Sequence, residues 1–255
     1  MILSSPSQLT YQPKRIISLV PSQTELLYDL GLEESVVGIT KFCVHPETWK
    51  RSKTIIGGTK NIHPGKIKTL QPDLIIANKE ENVKDQVEGL ANGYNVYVTD
   101  ISNLEDALKM INDIGVLTCT SSKANNIINN IKEGFSNNIS NGKIDTAYFI
   151  WRNPYMTIGG DTFINDMLAR CGFENIYALQ TRYPTVDINH LKEKGCKLLL
   201  LSSEPYPFRQ KHIDELQLQL PGTKIILVDG EMFSWYGSRL LRAPGYFKRL
   251  LEQLQ

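Results

Sequence analysis

Cys43 and His45 stand two residues apart after a short apolar segment, and this spacing could bring a thiolate and an imidazole to one metal ion. Side chains at i and i+2 of an extended chain point the same way, so the pair could ligate haem iron or cobalt. The alternative is a packed thiol beside a histidine that forms a hydrogen bond ahead of Pro46. Both interpretations stay open, and no firm metal site is predicted.

Enzymatic chemistry requires a nucleophile with a base, or paired acids with perturbed pKa values. Ser22 and Glu25 have the spacing of a helix capping box instead, with Ser22 as the N-cap. Asp229 and Glu231 could share a site, but no base or nucleophile accompanies them. The sequence therefore predicts a binding protein without catalytic residues. The alternative from another class is a metal-assisted enzyme on the same scaffold.

The composition excludes several classes of partner. The formal net charge of the 255 residues is +1, so we expect no nucleic-acid partner. No apolar run approaches the roughly 18 residues of a membrane helix, which predicts no membrane insertion. The first residues lack a signal peptide's cationic start and apolar stretch, and no lipid-anchor cysteine follows. We expect a monomer that is cytoplasmic as the sequence stands, or periplasmic if an export signal was removed.

The remaining cysteines and two histidines have ordinary structural interpretations. Cys119, Cys171 and Cys196 are widely spaced and are predicted to be small buried hydrophobic residues. His190 and His212 fall on predicted helices and are expected to face water.

Apolar strands, turns and amphipathic helices alternate along the chain, which predicts an α/β fold with mainly parallel sheets flanked by helices. The predicted strands cover residues 15–20, 36–39, 73–77, 96–98, 146–151, 197–201 and 224–228.

The alternation breaks between residues 104 and 135, where two helical apolar stripes follow each other. The second stripe predicts a helix of about 17 residues, on the order of 25 Å long, that ends at Asn137-Asn138 and Gly142. We therefore predict an amino-terminal α/β lobe over 1–120, a bridging helix over 121–141 and a carboxy-terminal α/β lobe over 142–255. Ligands of open parallel sheets bind at the carboxyl ends of the strands, so a ligand cleft is expected between the lobes.

The segments that follow the predicted strands carry basic, polar and aromatic side chains. Aromatic walls suit a large, flat ligand, and basic groups suit its carboxylates or phosphate. Four basic residues lie there: Lys41, Lys60, Lys79 and Arg152. The predicted ligand-binding residues are Ser22, Gln23, Lys41, Phe42, Cys43, His45, Lys60, Asn78, Trp151, Arg152, Tyr155, Glu231, Phe233, Trp235 and Tyr236.

Four segments, in order, resemble a known family: "KRIISLVPSQTELLYDLG", "VVGIT", "LQPDLII" and "GGDTFINDMLARCGFENI". They resemble the class III periplasmic binding proteins, the ABC-transporter receptors for cobalamin, haem and iron–siderophore complexes, and most of all the cobalamin branch. The resemblance implies two lobes bridged by one rigid helix, no covalent cofactor and reversible capture of a metal chelate. A corrinoid is favoured, with haem or a ferric siderophore as the alternative.

The resemblance also implies an ABC permease partner that docks on one carboxylate of each lobe. Glu204 in "SSEPYPF" matches the carboxy-terminal docking position. The amino-terminal position falls near Lys84, so a neighbouring acid must substitute. Glu80, Glu81 and Asp85 are the candidates, and we take Glu81.

Ligand contacts are carried over in the same way. Lys60 and Asn78 stand near positions where the cobalamin branch has tryptophans, whereas Glu231 and Phe233 match its acidic–aromatic pair. Replacement aromatic surface is expected from Trp151, Tyr155, Trp235 and Tyr236.

Overall fold

The computed structural model describes residues 1–136 and 143–254 of the chain. It contains two parallel sheets flanked by helices, which confirms the predicted fold class. The predicted helix end at Asn137-Asn138 and Gly142, and with it the last part of the range 121–141, lies outside the described residues.

The first sheet has six strands in the order β1-β6-β5-β2-β3-β4, all parallel. Its strands are β1 (Ile2–Leu3), β2 (Ile16–Ser18), β3 (Val36–Ile39), β4 (Thr54–Ile55), β5 (Leu74–Asn78) and β6 (Val96–Thr99). Its helices are α1 (Pro21–Asp29), α2 (Glu47–Ser52), α3 (Pro64–Leu70) and α4 (Lys84–Ala91), followed by α5 (Leu104–Leu117) and α6 (Ser121–Ser136). The central strands β2 and β5 are buried along their whole length, as parallel strands covered on both faces must be.

The second sheet has four parallel strands in the order β10-β9-β7-β8. Its strands are β7 (Ile144–Phe149), β8 (Phe173–Asn175), β9 (Leu198–Ser202) and β10 (Lys224–Val228). Its helices are α7 (Phe163–Cys171), α8 (Ile188–Glu193), α9 (Gln210–Gln219), α10 (Glu231–Ser234) and α11 (Ala243–Glu252). Two 3₁₀ turns cover Pro6–Gln8 and Ser238–Leu241.

The chain divides into two compact units. The first comprises Met1–Ile101, Glu105–Ile131 and Tyr236–Arg239, and the second comprises Ser102–Leu104, Lys132–Trp235 and Leu240–Gln255. The segment Tyr236–Arg239 thus belongs to the first unit, whereas the sequence assigned it to the carboxy-terminal lobe. The predicted boundaries at 120 and 141 and the predicted cleft stay predictions.

The ion pair of Arg239 with Glu25 holds that segment to α1. Arg239 Nη2 lies 2.8 Å from Glu25 Oε1, and its Nε donates to Glu25 Oε2 at 2.9 Å. Both side chains are buried, although 214 residues separate them in sequence. The predicted capping box was wrong, because α1 begins at Pro21 and Ser22 lies inside its first turn.

The last helix, α11, begins at Ala243 and has Pro244 in its first turn, where a proline is well tolerated. Among the helices of residues 1–136 and 143–254, none combines the length and apolar character required to cross a membrane.

Candidate functional site

A buried polar network occupies the carboxyl ends of β5 and β6 in the first unit. Gln23 Nε2 donates to Thr99 Oγ1 at 2.6 Å, and Asn78 Nδ2 donates to the same hydroxyl at 3.1 Å. Asn78 Oδ1 also accepts two backbone N–H groups of the loop after β5, at 2.8 and 3.0 Å. Ser22, Gln23 and Asn78 are all buried, and Gln23 and Asn78 join the neighbouring loops through these hydrogen bonds. Their contact with a ligand stays a prediction.

The thiol of Cys43 is fully buried beneath the loop after β3. Its sulfur accepts a hydrogen bond from Thr24 Oγ1 at 3.1 Å and lies 3.2 Å from Thr40 Oγ1. Burial raises the pKa of the Cys43 thiol, and the hydrogen bonds from Thr24 and Thr40 oppose that shift. The sulfur is packed beside two hydroxyl groups, as the alternative interpretation expects, and a metal contact by Cys43 stays a prediction.

His45 is half-buried and lines a cavity of about 630 Å³ in the first unit. The other lining residues are Val44, Glu47, Lys50 and Arg51. In the part of the chain that the structure describes, no group of three or more His, Cys, Asp or Glu side chains is arranged to hold a metal ion. A metal contact by His45 therefore stays a prediction.

Lys41 and Phe42 form an exposed pair on the loop after β3. The ammonium of Lys41 lies 5.0 Å from the centre of the Phe42 ring, within cation–π range. Phe42 is half exposed, and its ring lies over Gly58, where an added Cβ would approach the ring to 3.2 Å. This pair offers an aromatic face and a cation to solvent, and its contact with a ligand stays a prediction.

The other two basic residues predicted to bind ligand in the first unit have partners on neighbouring loops. Lys60 donates to the carbonyl of Glu80, and Lys79 pairs with Asp100 at 2.6 Å. Burial raises the pKa of the half-buried Glu81 carboxyl, while the charge of Lys60 opposes that rise. Their roles toward a ligand or a permease stay predictions.

An aromatic wall follows β7 and β9 in the second unit; it consists of Trp151, Tyr155 and Tyr206. Trp151 is 42% exposed and meets Tyr206 edge to face, with ring centres 5.8 Å apart. Tyr155 stacks on the buried Phe149 at 5.2 Å. Such edge-to-face and stacked arrangements fix ring orientation, so the wall is a preformed aromatic surface.

Arg152 lies between the two tyrosines of this wall. Its Nη2 forms an ion pair with Glu215 Oε2 at 2.6 Å. Hydrogen bonds to Tyr206 and Tyr155 raise the pKa of Arg152 above its ordinary value. Arg152 therefore ties the wall to α9 through its ion pair with Glu215.

His212 supports the same wall from α9. Its Nδ1 accepts the backbone N–H of Arg209 at 2.8 Å, so Nε2 carries the proton and donates to Tyr206 Oη at 3.3 Å. His212 is 2% exposed, and burial lowers its pKa. The expected water-facing position was wrong for His212, whereas His190 is exposed.

The loop after β10 carries the remaining predicted ligand residues. Phe233 is fully buried and packs on Tyr148 and Phe247, with ring centres 5.4 and 4.8 Å away. Contact of Phe233 with a ligand stays a prediction. Glu231 is half-buried, while Trp235 and Tyr236 are 6% and 8% exposed.

Sequence reasoning missed several residues that position these loops. Asn82 joins the loops after β2 and β4 by donating to Leu19 and Thr59 carbonyls at 3.4 and 3.1 Å. Tyr206 had a signal, because it stands between two prolines in an aromatic run. The two carbonyls that accept hydrogen bonds from Asn82 lie 23 and 63 positions away in sequence, so local spacing does not reveal this role.

Comparison with known proteins agrees with this geometry. An uncharacterized ABC transporter substrate-binding lipoprotein, YvrC, of Bacillus subtilis is 31% identical over 182 residues. That match covers 67% of this chain, and the chain spans 57% of the relative's length. A vitamin B12-binding protein of Vibrio vulnificus is 27% identical over 211 residues, covering 79% of this chain and 76% of the relative.

A periplasmic haem-binding protein of Pseudomonas aeruginosa superposes with a TM-score of 0.81. It is 17% identical and the superposition covers 93% of this chain and 92% of that one, which shows a shared fold. The family described as "Periplasmic binding protein" matches residues 16–222, more than half of the chain. The resemblance seen in the sequence is thereby confirmed, and the chain belongs to the periplasmic binding protein family.

Proposed function

We propose that this chain reversibly binds a metal chelate of the corrinoid type as the substrate-binding protein of an ABC transporter, without chemistry on the ligand. The observation that carries the proposal is the aromatic wall: three rings at the carboxyl ends of β7 and β9, held by Arg152 and His212. A corrinoid or porphyrin presents a broad apolar face, and preformed rings bind such a face without a large ordering cost.

Two further observations support a corrinoid. The vitamin B12-binding relative aligns along 79% of this chain. Among the four basic residues, Lys60, Lys79 and Arg152 already have partners within their own units. These residues therefore offer few free cations to an anionic ligand, which favours a large neutral amphipathic ligand.

The alternative ligand is haem, and Lys41 and His45 favour it. Lys41 is exposed and suits a propionate carboxylate, while His45 borders the 630 Å³ cavity and suits an axial position on iron. Fold similarity to a haem-binding protein is consistent with this alternative. A ferric siderophore is a third possibility within the same class.

Titration of the intrinsic tryptophan fluorescence with cyanocobalamin, haemin and a ferric hydroxamate separates these ligands. We expect cyanocobalamin to bind with a Kd below about 10 μM, a binding free energy of roughly −7 kcal/mol or stronger. Tighter binding of haemin that His45→Ala weakens would favour the haem alternative. If none of the three binds below that limit, the proposal fails.

An ABC permease is the proposed partner, and Glu81 is the proposed amino-terminal docking carboxylate. Glu81 lies on the loop after β5, next to Lys60. Its role requires the charge, so Glu81→Gln should abolish capture by permease-containing vesicles while ligand affinity stays unchanged. Fractionation of cells that express the natural gene would show whether the protein reaches the compartment where such a permease binds its receptor.

A further inference from the structure

The carboxylate of Glu204 lies within a hydrogen-bond cluster of the second unit. Its Oε1 accepts two hydrogen bonds, from Ser234 Oγ at 2.6 Å and from Trp235 Nε1 at 2.9 Å. Both donors belong to the segment after β10, whereas Glu204 belongs to the loop after β9. One carboxylate oxygen therefore joins the two loops.

The backbone around Glu204 is held just as closely. Ser202 Oγ donates to the Glu204 carbonyl at 2.5 Å, and the Glu204 N–H lies 3.3 Å from the same hydroxyl. Gly230 permits this approach, because an added Cβ would lie 2.7 Å from Glu204 Cγ. The position of the carboxylate is thus fixed by its own loop and by the loop opposite.

Trp235 depends on this acceptor. Its side chain is 6% exposed, and an indole N–H removed from water requires a hydrogen-bond partner. Glu204 Oε1 provides that partner, at 2.9 Å from the indole nitrogen. The orientation of the indole is therefore set by Glu204.

We infer that Glu204 is a positioning residue that orients Trp235 toward the ligand, so this carboxylate serves the ligand site and not only permease docking. The inference rests on the proposed function and on the prediction from the sequence that Trp235 contacts the chelate. It adds a role that the family resemblance does not give to this residue. Positioning requires an acceptor oxygen at Oε1, whereas docking onto an arginine requires the negative charge.

Two substitutions separate the requirements. Glu204→Gln retains an acceptor oxygen and removes the charge, whereas Glu204→Ala removes both. Glu193→Ala, an exposed acid on α8, is the matched control. The readouts are the Kd for cyanocobalamin and the ¹H–¹⁵N resonance of the Trp235 indole, assigned by its loss in Trp235→Phe.

We expect Glu204→Ala to shift the Trp235 indole resonance upfield and to weaken cyanocobalamin binding about 10-fold. Glu204→Gln should retain an affinity within about 3-fold of the parent, and Glu193→Ala should change neither readout. Equal losses for Glu204→Gln and Glu204→Ala would overturn the inference, since charge and not acceptor geometry would be required. An unshifted indole in Glu204→Ala would overturn it as well. If the parent protein binds no chelate, the proposed function fails, and the indole shift alone decides whether Glu204 positions Trp235.

Discussion

Replacing Arg239 by Met should destabilise the protein strongly, because it leaves the Glu25 carboxylate buried without its cation. The two side chains are 5% and 8% exposed, with oxygen and nitrogen 2.8 Å apart. Charges about 4 Å apart at an effective dielectric constant near 20 attract by about 4 kcal/mol. Removal of one partner from a buried pair costs about 3–5 kcal/mol, which agrees with that value. For a chain of this size the melting temperature should fall by about 10 °C.

The loss should also depend on pH. Burial raises the pKa of Glu25, and Arg239 is the largest influence that lowers it, so Arg239→Met raises that pKa further. The folded variant then binds a proton at pH values where the unfolded chain, with a carboxyl pKa near 4.5, does not. Its stability is greatest below the unfolded pKa and falls as pH rises through the folded one. The deficit should be larger at about pH 8 than at about pH 5.

Urea denaturation followed by circular dichroism at both pH values measures these deficits. Arg242→Met, which removes an exposed arginine three residues further along the chain, should change stability by less than about 0.5 kcal/mol. The double variant Glu25→Met with Arg239→Met should recover most of the loss, because a buried pair replaced by apolar groups is often neutral. A single-variant loss below about 1 kcal/mol, or one independent of pH, would refute this reasoning.

Three other predictions follow from burial and close packing. Cys119 is exposed and the other three thiols are buried, so a thiol reagent should rapidly modify one cysteine in the native protein. Cys119→Ser should remove that reaction. Rapid modification of Cys43 would contradict the burial of its thiol. Gly230→Ala should lower the free energy of unfolding, measured by thermal unfolding, by about 1–3 kcal/mol, because the added Cβ would lie 2.3 Å from a serine oxygen. Gly222→Ala is the control and should be close to neutral, because the space around Gly222 is open. Burial lowers the pKa of His212 below 6.5, so its contribution to stability is present above about pH 6.5 and is lost as pH falls through its folded pKa. His212→Gln should therefore flatten this part of the pH profile of the melting temperature. An unchanged profile would contradict the claim that His212 causes it.

Much of the fold could be predicted from the sequence, because parallel strands buried on both faces are short apolar runs. The strand β3 and the helix α5 begin and end near the predicted residues for this reason. The short edge strands β1, β4 and β8 were missed, since two or three residues give no periodic pattern.

The candidate site was less predictable. The residue types after the predicted strand 146–151 indicated an aromatic loop that contains Trp151, Arg152 and Tyr155. The structure shows aromatic contacts on this loop. Cys43, Asn78 and Phe233 also follow strands, but their side chains point into the core. The direction of each side chain depends on its packing partners, such as Thr24 for Cys43 and Phe247 for Phe233. Local spacing in the sequence does not reveal these partners.

The most direct test of the account is the affinity for cyanocobalamin of the parent protein and of the double variant Trp151→Ala with Tyr206→Ala, measured by calorimetry. Loss of two wall rings should cost about 2 kcal/mol or more, about 30-fold in Kd. Tyr11→Ala, an exposed tyrosine outside the wall, is the control and should bind like the parent. Tight binding by the parent with a weakened double variant is the predicted result. Unchanged affinity in the double variant would contradict the claim that these rings bind the chelate.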